Sequence, residues 1–249
     1  MLILITGASS GIGRDMARYL SGQGHRLLLV ARRRERLEEL ARELNNCEIF
    51  EADLSKKENV FKLYEELKDR NIDVLINNAG FGAFGKFTDV PLERELEMIR
   101  TNIIGTHILT KLYVKDFAAR NSGYIMNVAS VAGFFAGPLL SCYYATKAYV
   151  LRLTEAINEE MRRGGKNVHI SVLCPGPVNT EFNKVAGVRF GIDGLSSEYV
   201  AKYAVNKMFK GKMVIVPGRL IKAALFFRHF VPEKPLVKIM YNMQKRKRS

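Results

Sequence analysis

The sequence predicts an α/β domain: a single doubly wound parallel sheet of about seven strands, with helices on both faces and a C-terminal helical tail. Three observations carry this. Short runs rich in Leu, Ile and Val alternate with helical patterns, the order expected of parallel strands joined by crossover helices. The stretch Thr6-Gly7-Ala8-Ser9-Ser10-Gly11-Ile12-Gly13 leaves the first run and opens the first helix pattern. No repeat or linker divides the chain, and 249 residues with 47% apolar content can bury one large core. Residues 1–218 are expected to form one domain, with residues 219–249 as a basic amphipathic extension packed on it or on a partner subunit.

Taken in order, Leu2 to Ile5 reads as the first strand, followed by a helix near Gly11 to Gln23. Between them Gly7 takes backbone angles closed to other residues, while Gly11 and Gly13 leave no Cβ between the backbone and a bound group. The free amides of Ser9 to Gly13 and the positive helix end then face one place, a site for a pyrophosphate. Taken alone, the triplet also suits a tight strand-to-helix turn. Arg26 to Val30 is the second strand and Arg34 to Leu44 a charged helix. Glu48 to Glu51 is the third strand; Ser55 is then placed to cap a helix reaching Lys68.

Val74 to Ile76 is the fourth strand, followed by Asn77-Asn78-Ala79-Gly80 and an aromatic segment, Phe81 to Phe87. Pro91 suits the first turn of a long helix reaching about Ala119, because its missing amide has no partner to lose there. Gly123 to Val128 makes the fifth strand, ending near Ser130, and a second long helix runs near Ser141 to Arg163. Val168 to Leu173 is the sixth strand, stopped by Pro175-Gly176-Pro177. An irregular stretch from Phe182 to Leu195, a helix near Ser197 to Phe209 and a seventh strand at Met213 to Val216 complete the pattern.

The net charge of +14 is largely local. Arg219 to Ser249 holds nine basic residues against Glu233 alone, so eight of the fourteen charges lie there. Despite that charge, no helix-turn-helix, zinc or aromatic-basic pattern appears, and no nucleic-acid partner is expected. The first strand begins near Leu2, which leaves no room for a cleaved leader, and no run of about 18 apolar residues occurs. With three cysteines, Cys47, Cys142 and Cys174, in neither zinc nor redox spacing, a reducing, cytoplasmic setting is expected. Cys174 reads as a small buried hydrophobe. His25, His107, His169 and His229 share no ligand spacing, so no metal site is expected.

Tyr143 and Lys147 stand four apart at the start of a predicted helix and so project from one face. A tyrosine hydroxyl, with an ordinary pKa of about 10, needs a nearby cation to serve as acid/base at neutral pH. Lys147 is placed to be that cation, although a Tyr and a Lys at this spacing also make a plain amphipathic face. Ser130 ends a parallel strand, the sheet edge where ligands bind.

In order and spacing, Thr6-Gly7-x-x-x-Gly11-x-Gly13, Asn77-Asn78-Ala79-Gly80, Asn102, Ser130, Tyr143-x-x-x-Lys147 and Pro175-Gly176 resemble the short-chain dehydrogenase/reductase family, over about residues 1 to 217. The resemblance implies a Rossmann sheet, a nicotinamide cofactor and a carbonyl/alcohol redox reaction. It implies that Tyr143 protonates the carbonyl oxygen as hydride arrives, that Lys147 lowers its pKa and bonds the nicotinamide ribose, that Ser130 holds the substrate oxygen and that Asn102 supports a proton-carrying water. It further places Asp53 and Leu54 at the adenine, Asn78, Ala79 and Gly80 along the adenosine, and Val178 and Thr180 at the nicotinamide carboxamide, with Pro175 and Gly176 also binding the cofactor. Tyr144 and Cys142 depart from the small residues common beside the catalytic tyrosine. Only Tyr143, however, stands four before Lys147 and thirteen after Ser130.

Cofactor choice follows from charge. Ala31-Arg32-Arg33, where the second strand ends, offers two guanidinium groups and no acid for a ribose 2′-hydroxyl, which points to NADP(H), with Arg32 the larger contributor. A solvated basic helix start is the other reading. Substrate choice is expected from Phe81 to Phe87, Phe134 to Leu140 and Phe182 to Leu195, apolar apart from Lys86, Lys184, Arg189 and Asp193, which suits an apolar or lipid-like carbonyl compound. A nucleotide-binding regulatory protein with little turnover is the alternative. The two long helices exceed what crossing the sheet requires, and in the resembling family they pair between subunits, so a homodimer or homotetramer is expected. The tail, RLIKAALFFRHF and then Leu236 to Met243, suits packing over the mouth or between subunits; its charge excess leaves open a peripheral contact with anionic membrane.

Overall fold

The computed structural model describes residues 1–187 and 194–245; Arg189, Asp193, Arg246 to Arg248 and the side chain of His229 lie outside the described residues. Five of its strands follow the expected order: β1 (Leu2–Thr6), β2 (Arg26–Ala31), β3 (Cys47–Glu51), β4 (Val74–Asn77) and β5 (Gly123–Val128). Then come β6 (Val168–Leu173), a two-residue pair formed by β7 (Val178–Asn179) and β8 (Leu195–Ser196), and the short β9 (Val214–Ile215). Seven of them form one parallel sheet in the order β3-β2-β1-β4-β5-β6-β9. The β7–β8 pair flanks the irregular stretch from Phe182 to Leu195 and carries no sequence signal, because two-residue strands have no periodicity to detect.

The helices are α1 (Gly11–Ser21), α2 (Arg34–Glu43), α3 (Lys57–Leu67), α4 (Leu92–Ile99), α5 (Thr106–Ala119), α6 (Ser141–Arg163), α7 (Phe182–Ala186), α8 (Ser197–Met208), α9 (Arg219–Phe227) and α10 (Glu233–Lys245). Strand alternation explains the continuous apolar runs. In β1, Ile3 and Ile5 face α1 and α8 through Met16, Leu20, Val205 and Met208, whereas Leu2 and Leu4 face α3 and α5 through Val60, Leu63, Leu109 and Phe117. Both sheet faces are therefore covered, which is why inner strands such as β1 and β2 are apolar on both sides, whereas the edge strand β3 exposes Glu48 and Glu51. Truncating a fully buried side chain such as Phe117 is expected to cost about 3–5 kcal/mol.

Two local expectations change. Ser55 does not cap α3; its amide and hydroxyl both donate to Asp53 Oδ1, at 3.0 and 2.8 Å, closing an Asx turn before the helix begins. The long helix from Pro91 is interrupted by a π turn, Arg100–Gly105, between α4 and α5. Such turns relax the i→i−4 ladder and shift one residue's register, and Asn102 sits inside this one.

Strand order reverses between β1 and β4, and the C-terminal edges of these strands open a crevice. A buried polar ladder stiffens its floor. Asn77 Nδ2 donates to Thr110 Oγ1 (3.1 Å) and Asn127 Oδ1 (2.9 Å), and Asn127 Nδ2 donates to Thr154 Oγ1 (3.0 Å). This ties β4, α5, β5 and α6 together.

Candidate active site

The glycine turn forms one wall of the crevice. Gly7 and Gly11 take φ of +65° and +54°, the left-handed region that glycine alone enters freely. A Cβ on Gly13 would lie 2.3 Å from Asn78 Nδ2 and 2.5 Å from the Gly7 carbonyl oxygen, so the close approach of the two strand ends requires glycine. Asn78 Nδ2 donates to the carbonyls of Thr6 (3.2 Å) and Gly7 (3.0 Å), while Thr6 Oγ1 accepts from the amides of Asn78 (3.0 Å) and Ala79 (3.1 Å). No side chain caps α1. Its first-turn amides thus remain available at the positive helix end. Ser9, Ser10, Gly11 and Ile12 line the cavity there, and this donor set without bulk fits a diphosphate.

The cleft continues on both sides. Asp53, Leu54, Asn78, Ala79 and Gly80 line one stretch, with Arg32 and Arg33 at its end. Arg33 Nη2 lies 3.3 Å from Ser9 Oγ and 3.2 Å from Ser10 Oγ, and its Nη1 donates to Glu181 at 3.2 Å. Arg32 turns the other way, donating to Glu97 Oε1 at 2.8 Å. Pro175, Gly176, Val178 and Thr180 line the opposite stretch, beside Ser130, Tyr143 and Lys147.

Of the residues singled out in the sequence, Gly13 and Asn102 stand behind the cavity wall. Gly13 acts by its missing side chain. Asn102, buried in the π turn, accepts from the Phe81 amide (3.1 Å) and donates to the Phe81 carbonyl (2.9 Å) and to Thr146 Oγ1 (3.0 Å). Thr146 in turn donates to the Tyr143 carbonyl at 2.8 Å. One amide side chain therefore joins the Phe81 loop to α6. The sequence reading passed over Thr146 and Thr6; small buried hydroxyls inside apolar elements carry no spacing signal.

Ser130 leaves β5 in extended backbone, its Oγ accepting from the Ala132 amide at 3.1 Å. Lys147 is buried and donates to the Val128 carbonyl at 2.8 Å, with its Nζ 5.9 Å from the centre of the Tyr143 ring. Loss of solvent pushes the Lys147 ammonium down to about 8, so it stays charged at neutral pH. Desolvation by the packing around the half-buried Tyr143 pushes its hydroxyl well above the ordinary tyrosine range, and a hydrogen bond with Ser130 opposes the shift. Burial also pushes the Cys174 thiol up to about 12, so Cys174 sits as a neutral hydrophobe in the core beside Val172 and Val216.

The neighbouring Tyr144 belongs to a different structure. It is buried, and its hydroxyl accepts a hydrogen bond from Gln244 Nε2 on α10. Around it Ala132, Leu140 and Ala186 form an apolar cluster with Phe84, Phe135, Tyr143, Phe182 and Met240. All three segments expected at the mouth contribute, whereas Phe87, Lys86 and Lys184 point to solvent. Through Met240 and Gln244, α10 packs on the cluster of Leu140, Tyr144 and Phe182, side chains that line this end of the cleft. Among the described residues no cluster of His, Cys, Asp and Glu is placed to hold a metal ion.

This arrangement matches known proteins. A family model described as short chain dehydrogenase matches residues 1–188. The chain belongs to the short-chain dehydrogenase family. It is an oxidoreductase of that family. An uncharacterized oxidoreductase of Staphylococcus epidermidis is 36% identical over 76% of this chain and 81% of its own. A short-chain dehydrogenase from Sphingobium yanoikuyae, solved in complex with NADPH, superposes with a TM-score of 0.82 at 29% identity, covering 93% of this chain and 96% of that one. A short chain dehydrogenase/reductase from Burkholderia phymatum, solved with NAD, superposes with a TM-score of 0.83 at 25% identity, covering 92% of each. The seven-stranded sheet is thus the family's Rossmann-like fold, and its members bind either nicotinamide dinucleotide.

Proposed function

We propose that this oxidoreductase transfers hydride between NADP(H) and an apolar or lipid-like carbonyl/alcohol pair, with reduction the favoured direction. The observation that carries the reading is the meeting of Ser130, Tyr143 and Lys147 at one end of a cleft whose other end is bordered by Arg33, Ser9 and Ser10. The bound nicotinamide supplies the hydride that reaches the carbonyl carbon. Ser130 Oγ and the Tyr143 hydroxyl hold the carbonyl oxygen, and Tyr143 passes its proton to that oxygen as negative charge develops. Its raised pKa keeps it protonated, which is the form that reduction needs, and the developing alkoxide is a stronger base than a phenolate. The Lys147 ammonium, charged at neutral pH, stabilises the phenolate left behind and is the donor for the nicotinamide ribose. Asn102 positions the Phe81 loop against α6; a water passing protons from solvent to Tyr143 belongs to the same reading.

For the cofactor, each arginine is paired with an acid, Arg32 with Glu97 at 2.8 Å and Arg33 with Glu181 at 3.2 Å, and Arg33 is favoured over Arg32 as the partner of a ribose 2′-phosphate because its Nη2 also lies against the two serines of the glycine turn. Residues 1–218 act as the catalytic domain, 219–249 as its extension. Symmetric pairing through α4, α5 and α6, where Leu92, Ile104 and Tyr149 are exposed, would give a homodimer or homotetramer, in a reducing cytoplasmic setting that suits three free cysteines.

A panel of apolar ketones and aldehydes followed by NADPH oxidation tests the reading. Turnover with NADPH, and a KM for NADPH raised about tenfold in Arg33→Ala with that for NADH unchanged, is the expected result for loss of one charge-assisted contact. Equal effects on both cofactors, or a native preference for NADH in kcat/KM, would overturn the NADP(H) assignment.

A further inference from the structure

The C-terminal pair of helices has two apolar faces where packing needs one. On α9, Ile221 and Leu225 lie against the core cluster of Val150, Val172 and Val216. On α10, Leu236, Met240 and Gln244, at four-residue spacing, face the body of the protein. That uses the inner stripe of each helix. The outer side is also apolar: Leu220, Ala223, Ala224 and Phe227 recur at helical spacing and are exposed, Leu220 at 87% and Phe227 at 63%. Phe230 extends the stripe at 71% exposure, with the Phe226 ring 5.5 and 5.7 Å from the rings of Phe227 and Phe230. On α10 the exposed Pro235, Ile239 and Met243 repeat the pattern. A helix with a second apolar stripe beside its packed one leaves exposed apolar surface that marks an interaction site, and α9 has no fully buried residue.

We propose that this outer face docks the protein peripherally on an anionic membrane surface. Charge decides between an anionic surface and a second copy of the chain as occupant. Arg219, Lys222, Lys234, Lys238 and Lys245 are exposed around the apolar stripes, and Glu233 is the single acid from residue 219 onward. Pairing two such faces would set like charges opposite one another, which interfaces avoid. An anionic lipid surface supplies the missing negative charge and takes the Leu and Phe side chains into the headgroup–acyl boundary. No helix among the described residues is long and apolar enough to span, so the contact is peripheral. Because the inner stripe of α10 packs on Leu140, Tyr144 and Phe182, which line the cleft, docking by the outer stripe brings that end of the cleft close to the bilayer. The inference stands on the surface alone and does not require the carbonyl reading.

The test is co-sedimentation of the full chain with phosphatidylcholine vesicles containing one quarter phosphatidylserine, against pure phosphatidylcholine. Binding to the anionic vesicles, falling as salt is raised, is expected. The variant Leu220→Ser/Phe227→Ser/Phe230→Ser should lose at least about tenfold in binding, the scale of burying a few apolar side chains, while keeping its melting temperature and its turnover of a water-soluble substrate. Lys234→Glu/Lys238→Glu, with the stripe intact, should bind more weakly and with a shallower salt dependence. Absence of co-sedimentation at low salt, or unchanged binding in the serine variant, would overturn the proposal. So would light scattering without vesicles in which the serine variant dissociates a wild-type dimer, since that assigns the face to a second copy. Vesicle binding and turnover are read separately, so failure of one leaves the other standing.

Discussion

The two ends of the cleft are built from different materials. At the glycine turn, the contacts that fix the wall run largely through main chain: Asn78 bonds two carbonyls, Thr6 accepts from two amides, and uncapped α1 amides face the cavity. Under α10, the wall is made of side chains, with Met240, Phe84, Phe135 and Phe182 packed on the cluster of Ala132, Leu140, Tyr144 and Ala186, a Gln244–Tyr144 hydrogen bond, and Arg228 donating to the Phe134 carbonyl. A main-chain wall recognises what never changes, a diphosphate. A side-chain wall on an appended segment can be altered residue by residue without disturbing the sheet. The comparison therefore assigns constancy to one end and substrate selection to the other, and variants at their junction separate the two.

The largest effect is expected at adjacent tyrosines that belong to different ends. Tyr143→Phe removes the proposed proton donor while keeping the ring, and kcat should fall by at least about a thousandfold, within the range for a positioned general acid. Cofactor binding, read by fluorescence titration, should persist. Tyr144→Phe should keep most turnover, because its hydroxyl answers to Gln244 and not to the reacting atoms. The reverse pattern would show that the proton donor is Tyr144 and that the division between the two ends is misplaced.

Lys147 sharpens the comparison by separating function from stability. Its pKa is lowered from 10.5 to about 8 by burial, so below pH 8 folding keeps a charged amine out of water, at a cost on the order of 3 kcal/mol. Between about 8 and 10.5 the folded state is neutral while the unfolded state still holds its proton, so wild-type stability rises with pH across that window. Lys147→Met should abolish most turnover yet be about 2 kcal/mol more stable at pH 7, after allowing for the lost bond to the Val128 carbonyl. Urea unfolding at pH 7 and near pH 10 checks this: the advantage must shrink as pH rises. A gap independent of pH would mean that the ammonium carries no burial cost.

The same contrast explains what the sequence made legible. The strands around the crevice, the turn from Gly7 to Gly13, Ser130, Tyr143 and Lys147 were readable because continuous apolar runs, glycines and i,i+4 spacing are local signals of local geometry. The placement of Asn102 behind the wall was not, since in its π turn its side chain is held by Phe81 and Thr146, 21 and 44 residues away in sequence. Nor was the preference of Arg33 over Arg32 for the serines, which depends on Glu97 and Glu181 drawing the two guanidinium groups apart. Gln244 is the extreme case: between Met243 and Lys245 in a basic tail it carries no local sign of burial, yet its side chain is buried.

That buried glutamine yields the smallest and most specific test. Gln244 Nε2 donates to the Tyr144 hydroxyl, but its Oε1 is buried without a hydrogen-bond partner among the described residues. The bond holding α10 on the cleft thus comes with an offsetting desolvation cost. Gln244→Leu removes the donor and the orphaned oxygen together while filling a similar volume, and Tyr144→Phe removes the acceptor. Each single variant strands or frees one polar atom, so neither alone reports the strength of the latch. A double-mutant cycle does, and a coupling of about 1 kcal/mol is expected from one neutral buried hydrogen bond. Gln244→Leu should leave the KM for NADPH unchanged and shift the KM of bulky apolar substrates severalfold, because it acts at the α10 end and not at the glycine turn. Equal shifts in cofactor and substrate KM would show that the two ends are not independent, since a change 100 residues from Tyr144 in the chain would then be felt at the diphosphate wall.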